Sequence, residues 1–293
     1  MTTADLDVII PVRNAGRLLK PAIDSVFEDS LSVRVIVVDD HSTDGAVDRL
    51  PADPRVVRVP SRGTGIPAAL NTGIAAGTAP LVARQDADDV SLPGRLAAEV
   101  EFLADNPSIG LVTTFFEVIV RDQVIMTMRP APIGLLRSNP FSAGSSIVRR
   151  LVLEEIGGYR EVFPVSSDYD LWLRCAAVTG VSVLPVIGYR YRLTADMSTI
   201  RRATEQAAAA ELARASARAR LRGEADPAED PEQVARHFAG CRKDDPDVAA
   251  WWAREFAALG SRSEALSCAV RARRVRSVLA ALGRRPAPQA VWA

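Results

Sequence analysis

Long apolar runs are missing from this chain of 293 residues. Without a run of ~18 apolar residues, no helix is expected to span a bilayer. The first residues lack the basic segment of a secretory leader, and the apolar run Val8-Ile9-Ile10 stops at Pro11. Cysteine is scarce. Cys175, Cys241 and Cys268 are odd in number and far apart, which excludes a disulfide scaffold and fits a reducing compartment. Together these absences read as a cytoplasmic chain. Net charge is missing too, since 36 Lys and Arg balance 36 Asp and Glu. That balance argues against a polycation coating nucleic acid. With 48% hydrophobic residues it also argues against disorder. Lysine is nearly absent, with only Lys20 and Lys243 beside 34 arginines, most simply a coding bias. No Gly-x-Gly-x-x-Gly follows the first strand-like run, and no P-loop or nucleophile elbow occurs, so those chemistries fall away.

What is present is an alternation of short β-like runs and helical stretches. Asp7 to Val12, Val33 to Val38, Val56 to Val59 and Leu81 to Arg84 read as strands. Between them, Arg17 to Glu28, a short segment after Asp44, and Ile66 to Ala76 read as helices. A further helix is expected from Ser91 and Pro93 to about Asn106. The wholly apolar second strand suits a central parallel position covered on both faces. The alternation predicts a doubly wound, mostly parallel α/β sheet.

From Ile109 the pattern changes. Gly110 to Val112, Val118 to Val120, Val124 to Met128, Ser145 to Val148 and Val181 to Ile187 read as strands, with a turn at Asp122-Gln123. Leu151 to Ile156 and Tyr169 to Val178 read as helices. Beyond residue 198 the character is helical. Arg201 to Arg222 carries nine Ala and six Arg, a strong helix former. Asp226 to Glu232 reads as a linker, and two more helices are expected over Val248 to Leu259 and Ser263 to Leu282. The expected division is one α/β domain over 1–198, made of a first half at about 1–108 and a second at about 109–198, and a helical C-terminal appendage at 199–293.

Two acidic clusters follow strands. The first is Val38-Asp39-Asp40-His41-Ser42-Thr43-Asp44-Gly45. In open α/β sheets ligands bind just outside the carboxyl ends of strands. A carboxylate there, Asp39, can accept hydrogen bonds from a nucleobase edge. Ser42, Thr43 and Asp44 serve equally well as turn and cap residues. The second is Arg84-Gln85-Asp86-Ala87-Asp88-Asp89. Carboxylates this close repel one another unless a cation lies among them. Oxygen ligands suit Mg²⁺ or Mn²⁺ held with substrate phosphates. The alternative is a solvated acidic turn.

These clusters recur with Ile10-Pro11-Val12-Arg13-Asn14, Gly65 to Gly73, Val90 to Leu96, Gly144-Ser145-Ser146, Gly157-Gly158-Tyr159-Arg160 and Asp168 to Arg174. In this order, over roughly residues 5–195, the set resembles the family 2 glycosyltransferases with a GT-A, Rossmann-like fold. The resemblance implies a metal-dependent, inverting transfer of a sugar from a nucleoside-diphosphate sugar to an acceptor hydroxyl. It places Asp39 on the nucleobase, with Pro11, Val12 and Arg62 lining the same pocket. Asp86 and Asp88 match the Asp-x-Asp motif. Asp88 would hold the metal, and Asp86 would lie by the ribose or the metal. Asp168 matches the general base. Asp168 and Asp170 lie two apart, so on a helix they point to different sides, and the motif favours Asp168.

Two positions depart from the family pattern. Ser167 stands where the motif has Glu, and Thr194 stands near the place of a metal-ligating His. They leave open a second reading, a catalytically weak or inactive sugar-nucleotide binding scaffold. The donor is expected to be a UDP-sugar, with GDP and dTDP sugars as alternatives. The acceptor is expected to be a glycan, a lipid-linked sugar or a small molecule, met through Arg129 to Gly144 and parts of the C-terminal appendage. The charge is uneven: residues 1–200 hold 24 acids and 19 bases, and residues 201–293 hold 12 and 17. Arg271, Arg273, Arg274 and Arg276 suggest either a solvated helix face or a peripheral contact with an anionic membrane. Trp251-Trp252 suggests a homodimer interface.

Overall fold

The structure is a computed structural model. It describes residues 4–131 and 134–243, together with 245, 246, 248, 249 and 253. The expected helix over Ser263 to Leu282, the Trp251-Trp252 pair and the basic stretch from Arg271 lie outside the described residues, as does most of Val248 to Leu259.

Nine strands form one mixed sheet in the order β3-β2-β1-β4-β8-β6-β9-β5, with β7 paired to β6. The parallel half comprises β1 (Leu6–Val12), β2 (Val33–Asp39), β3 (Val56–Pro60) and β4 (Leu81–Arg84). Strand β8 (Ser146–Arg149) runs antiparallel between β4 and β6 (Ile109–Val120). Strand β9 (Gly180–Arg192) runs parallel to β6 and pairs antiparallel with β5 (Val90–Ser91). Strand β7 (Gln123–Met128) completes a hairpin on β6 through Arg121 and Asp122, both with positive φ.

Helices α1 (Leu19–Val26), α2 (Ile66–Ala76) and α3 (Arg95–Asp105) accompany the parallel half. They are followed by α4 (Arg150–Glu155) and α5 (Ser167–Val178), then α6 (Ser198–Arg201), α7 (Ala203–Arg222) and α8 (Pro231–Phe238). One apolar cluster under β1, β2 and α1 holds Val8, Ile10, Ile23 and Val35. A second joins α2, α5 and α7, and Leu70, Trp172, Leu212 and Ala213 are buried in it together. Small alanines let α7 lie close against α5.

Several local expectations are corrected. The segment after Asp44 forms a turn over residues 46–49, closed by the Arg49 amide donating to the Gly45 carbonyl at 3.2 Å, and it is not continued into a helix before Pro51, which has no amide hydrogen to donate. Ser91 belongs to β5, and α3 opens at Arg95. Its cap comes from Asp29, whose carboxylate accepts from the amides of Gly94 at 2.8 Å and Leu96 at 3.0 Å. The two short strands expected between Gly110 and Val120 are one strand, β6, since β9 pairs along most of its length. The linker expected over Asp226 to Glu232 contains a 3₁₀ turn and the start of α8, with Ala228 in the α5–α7 cluster. Asp226 and Asp230 cap these two short helices.

Candidate active site

The parallel register decides which side chains meet. Val12 pairs with Asp39, Asp39 with Pro60, and Ile9 with Arg84. The carboxyl ends of β1, β2, β3 and β4 therefore form one rim, with Asp39 on one side of β1 and the Asp86 turn on the other. Val12 is buried and Pro11 half-buried at this rim.

At the β2 tip, Asp39 Oδ1 accepts from the Ser42 amide at 2.9 Å, and its second oxygen bonds to none of the described residues. Ser42, Thr43 and Asp44 close the loop onto the β1 exit. Ser42 Oγ accepts from the Asn14 amide at 3.1 Å, Asn14 Oδ1 from the Thr43 amide at 2.8 Å, and Asp44 Oδ2 from the Gly16 amide at 2.7 Å. Asp40, which is buried, accepts from the Gly65 amide at 3.0 Å. These side chains build the rim and leave Asp39 to face it. Arg62 is exposed after β3, and its guanidinium makes no hydrogen bond among the described residues.

At the β4 tip, Arg84 Nε donates to Asp86 Oδ1 at 2.7 Å. The Asp86 amide donates to Tyr189 Oη at 3.2 Å. Tyr189 is held below by Arg95, which is fully buried, lies 5.4 Å over the ring, and bonds Ser91 and the Gly144 carbonyl. Burial and the neighbouring Asp86 charge push the Asp88 carboxyl up to about 6. Burial and the Asp88 and Asp86 charges also push Asp89 well above the usual carboxylate range. Arg192 steadies this turn. Its Nε donates to the Asp88 carbonyl, and its amide donates to Asp89 Oδ1 at 2.7 Å.

Asp168 lies half-buried in the first turn of α5, and its Oδ2 accepts from Asn139 Nδ2 at 3.1 Å. The Arg84 guanidinium feels Asp86, Tyr159 and Asp168 together; they keep it charged against the opposing cost of burial. The β4 tip and the first turn of α5 thus share one electrostatic site. Asp170, by contrast, is fully buried on another side of α5, paired with Arg160 and Arg174. Of the quoted motif pieces, Asn71 and Gly158-Tyr159 prove to be a clasp. Asn71 Oδ1 accepts from the Tyr159 amide at 2.9 Å, and its Nδ2 donates to the Tyr159 carbonyl at 2.8 Å.

The donor set suits a divalent cation. Asp88 is a desolvated carboxylate repelled by the Asp86 charge, and a cation beside the pair would add to the neutralisation that Arg84 begins. Among the described residues no group of three His, Cys, Asp or Glu side chains converges. The remaining ligands would be phosphate and water, as for Mg²⁺-type sites. Thr194, half-buried beyond β9, adds no imidazole.

The family model of glycosyl transferase family 2 matches residues 7–155, half of the chain. The chain belongs to that family. The family 2 chain is 31% identical over 183 residues to EpsE of Bacillus subtilis, named as a glycosyltransferase, covering 58% of this chain and 66% of that protein. It is 30% identical over 199 residues to the succinoglycan biosynthesis protein ExoU of Rhizobium meliloti, covering 59% and 57%. The chain thus spans less than two thirds of either relative's length. Its fold resembles S. aureus TarS in complex with UDP, with a TM-score of 0.59 at 16% identity, covering 94% of this chain and 90% of that one. It also resembles the mannosyltransferase PcManGT from Pyrobaculum calidifontis in complex with GDP-Man and Mn²⁺, with a TM-score of 0.57 at 20% identity, covering 96% and 86%. The fold of this family 2 chain is the expected GT-A fold.

Arg84 and Asn139 were not singled out by their sequence. Arg84 has a local signal, as the last residue of a strand entering the acidic turn. Asn139 has none, because it reaches Asp168 from a loop 29 residues away.

Proposed function

We propose that this protein is a metal-dependent, inverting glycosyltransferase that moves a sugar from a nucleoside-diphosphate sugar to an acceptor hydroxyl. The observation that carries this is the ion pair of Arg84 with Asp86 at the sheet rim, with Asp88 in the same turn and the charge of Asp168 near enough to act on Arg84. Asp39, at the far side of β1, would read the nucleobase through its open oxygen, with Pro11 and Val12 as the pocket wall and Arg62 at its edge. Asp88, with Asp86, would hold Mg²⁺ or Mn²⁺. When bound, that cation supplies Lewis-acid stabilisation of the leaving diphosphate. Asp168 would take the acceptor proton, a contribution of typically 10²–10⁴-fold. Asn139 holds its carboxylate in one orientation. A single displacement from the face opposite the diphosphate inverts the anomeric centre.

Support for the donor class comes from the UDP and GDP-Man of the two structural neighbours. A UDP-sugar is the first choice, with GDP and dTDP sugars next. The naming of one relative for succinoglycan biosynthesis supports a glycan acceptor. No helix among the described residues is long and apolar enough to cross a membrane.

The test is donor turnover with Mn²⁺, with and without EDTA, for the wild type and for Asp88→Ala and Asp168→Ala. Loss of turnover in both variants with retained nucleotide binding in Asp168→Ala is expected. Wild-type protein that binds a sugar nucleotide but never turns it over would favour the scaffold reading that Thr194 and Ser167 leave open.

A further inference from the structure

The start of α5 makes polar contacts with the C-terminal helices. Ser166, just before the helix, has φ +53°, a strained left-handed conformation for a non-glycine residue that persists only where its surroundings impose it. Those surroundings are α7 and its flanks. Arg202 Nη1 donates to the Pro164 carbonyl at 3.3 Å. Ser166 Oγ donates to the Gln206 carbonyl at 3.3 Å. Arg160 reaches between the two parts of the chain. Its Nε and Nη2 both donate to the fully buried Asp170 carboxylate, and its Nη1 donates to Asp226 Oδ2 at 2.8 Å.

Asp226 is itself built in. It accepts from Ser216 Oγ, from Arg220 Nη1 at 2.9 Å and from the Ala228 amide at 2.9 Å. Ser216 Oγ also accepts from Arg160 Nη2 at 2.9 Å. Arg174 closes the far side, donating from Nε to Asp170 Oδ2 at 2.8 Å and from Nη1 to the Ile156 carbonyl at 2.8 Å. The network holds three guanidinium groups against two carboxylates, so each anion is matched. Removing the Asp226 charge leaves Arg160 and Arg220 facing each other across one neutral hydroxyl. A partly buried like-charge pair of that kind is relieved only by movement. Arg160 carries that movement to Asp170, two residues from Asp168 in the same helical turn.

We infer that Asp226 and Ser216 are positioning residues for the transfer reaction, holding Asp168 in register through Arg160 and Asp170. The start of the C-terminal helical region is then part of the catalytic frame. The inference rests on Asp168 acting as the base. It predicts that the region cannot be altered at Asp226 without a cost in turnover, even though Asp226 touches neither the Asp-x-Asp turn nor the nucleotide rim.

The experiment compares the full chain with Asp226→Asn and the milder Ser216→Ala. Donor affinity is measured by calorimetry, transfer by kcat at saturating donor, and amide hydrogen exchange over residues 164–171. Asp226→Asn is expected to keep donor affinity within about twofold while kcat falls about ten- to hundredfold, the scale of a small misplacement of a reacting group. Exchange at 166–171 should quicken, and Asp226→Glu should recover part of kcat. Ser216→Ala should follow in the same direction with a smaller loss. Unchanged kcat in both folded variants overturns the inference. So does a parallel loss of kcat and donor affinity in Ser216→Ala, which marks general damage. If the wild type turns over no sugar nucleotide, the glycosyltransferase reading fails on its own. The exchange measurement then still decides whether Asp226 holds the start of α5.

Discussion

Arg84 Nε donates to Asp86 Oδ1 at 2.7 Å, and the charge of Asp168 acts on the same guanidinium. One cation thus links the end of a parallel strand to the first turn of a helix more than eighty residues later. Substitution by lysine keeps the charge but loses the planar fork that points Nε at Asp86. Arg84→Lys is expected to fold and to bind nucleotide, with kcat lowered about tenfold or more. Steady-state kinetics at saturating donor checks it, and a wild-type kcat would show that charge alone suffices.

Asp168→Asn removes the proton acceptor and keeps the shape. Donor-dependent thermal stabilisation should survive, because ligand binding raises stability whatever the chemistry. Transfer should fall by about 10²–10⁴-fold. Retention of more than a tenth of the wild-type rate would move the base to another residue.

Gly144 lies against the Tyr189 ring, and a Cβ there would collide with Tyr189 Oη. That hydroxyl accepts the Asp86 amide, so the collision reaches the acidic turn. Gly144→Ala is expected to destabilise the fold by about 1–3 kcal/mol, as overpacking of a core does. It should also weaken Mn²⁺-dependent donor binding. A denaturation midpoint and a donor titration test both parts, and an unaffected titration would uncouple Tyr189 from the turn.

Glu99 is fully buried in α3, 3.5 Å from Arg95, with both carboxylate oxygens lacking hydrogen bonds. Burial pushes its carboxyl up to about 8, outweighing the pull of Arg95. The folded protein therefore keeps a proton that the unfolded chain releases near 4.5. Stability should fall as pH rises from about 4.5 through about 8, then level off, at no more than about 1.4 kcal/mol per pH unit. Glu99→Gln should lose this component and gain on the wild type as pH rises. Urea midpoints at pH 5 and pH 8.5 for both proteins decide it, and parallel shifts would place the proton elsewhere.

Much of the molecule is written in its local pattern. The apolar run Val33 to Val38 requires cover on both faces, so β2 is central, and its parallel partners bring Asp39 and the Arg84-Gln85-Asp86 turn to one rim. The strand-tip acids are legible because a parallel sheet gathers all its carboxyl ends on one side. Periodicity also separates Asp168 from Asp170, since residues two apart on a helix diverge.

The sequence by itself therefore determined the strand and helix alternation of the parallel half, the family motifs and the side of the sheet on which the strand-tip acids gather. Tertiary structure alone decided what surrounds them. Asp29 caps α3 from 65 residues away, Asn139 bonds Asp168 from 29, and Asp226 meets Arg160 from 66. Ser42, Asp44 and Asn71 turned out to lock loops to one another. Periodicity reports which face of an element is buried. It carries no record of which distant side chain meets that face, because that depends on how the elements pack, and packing places polar partners only once the chain has closed.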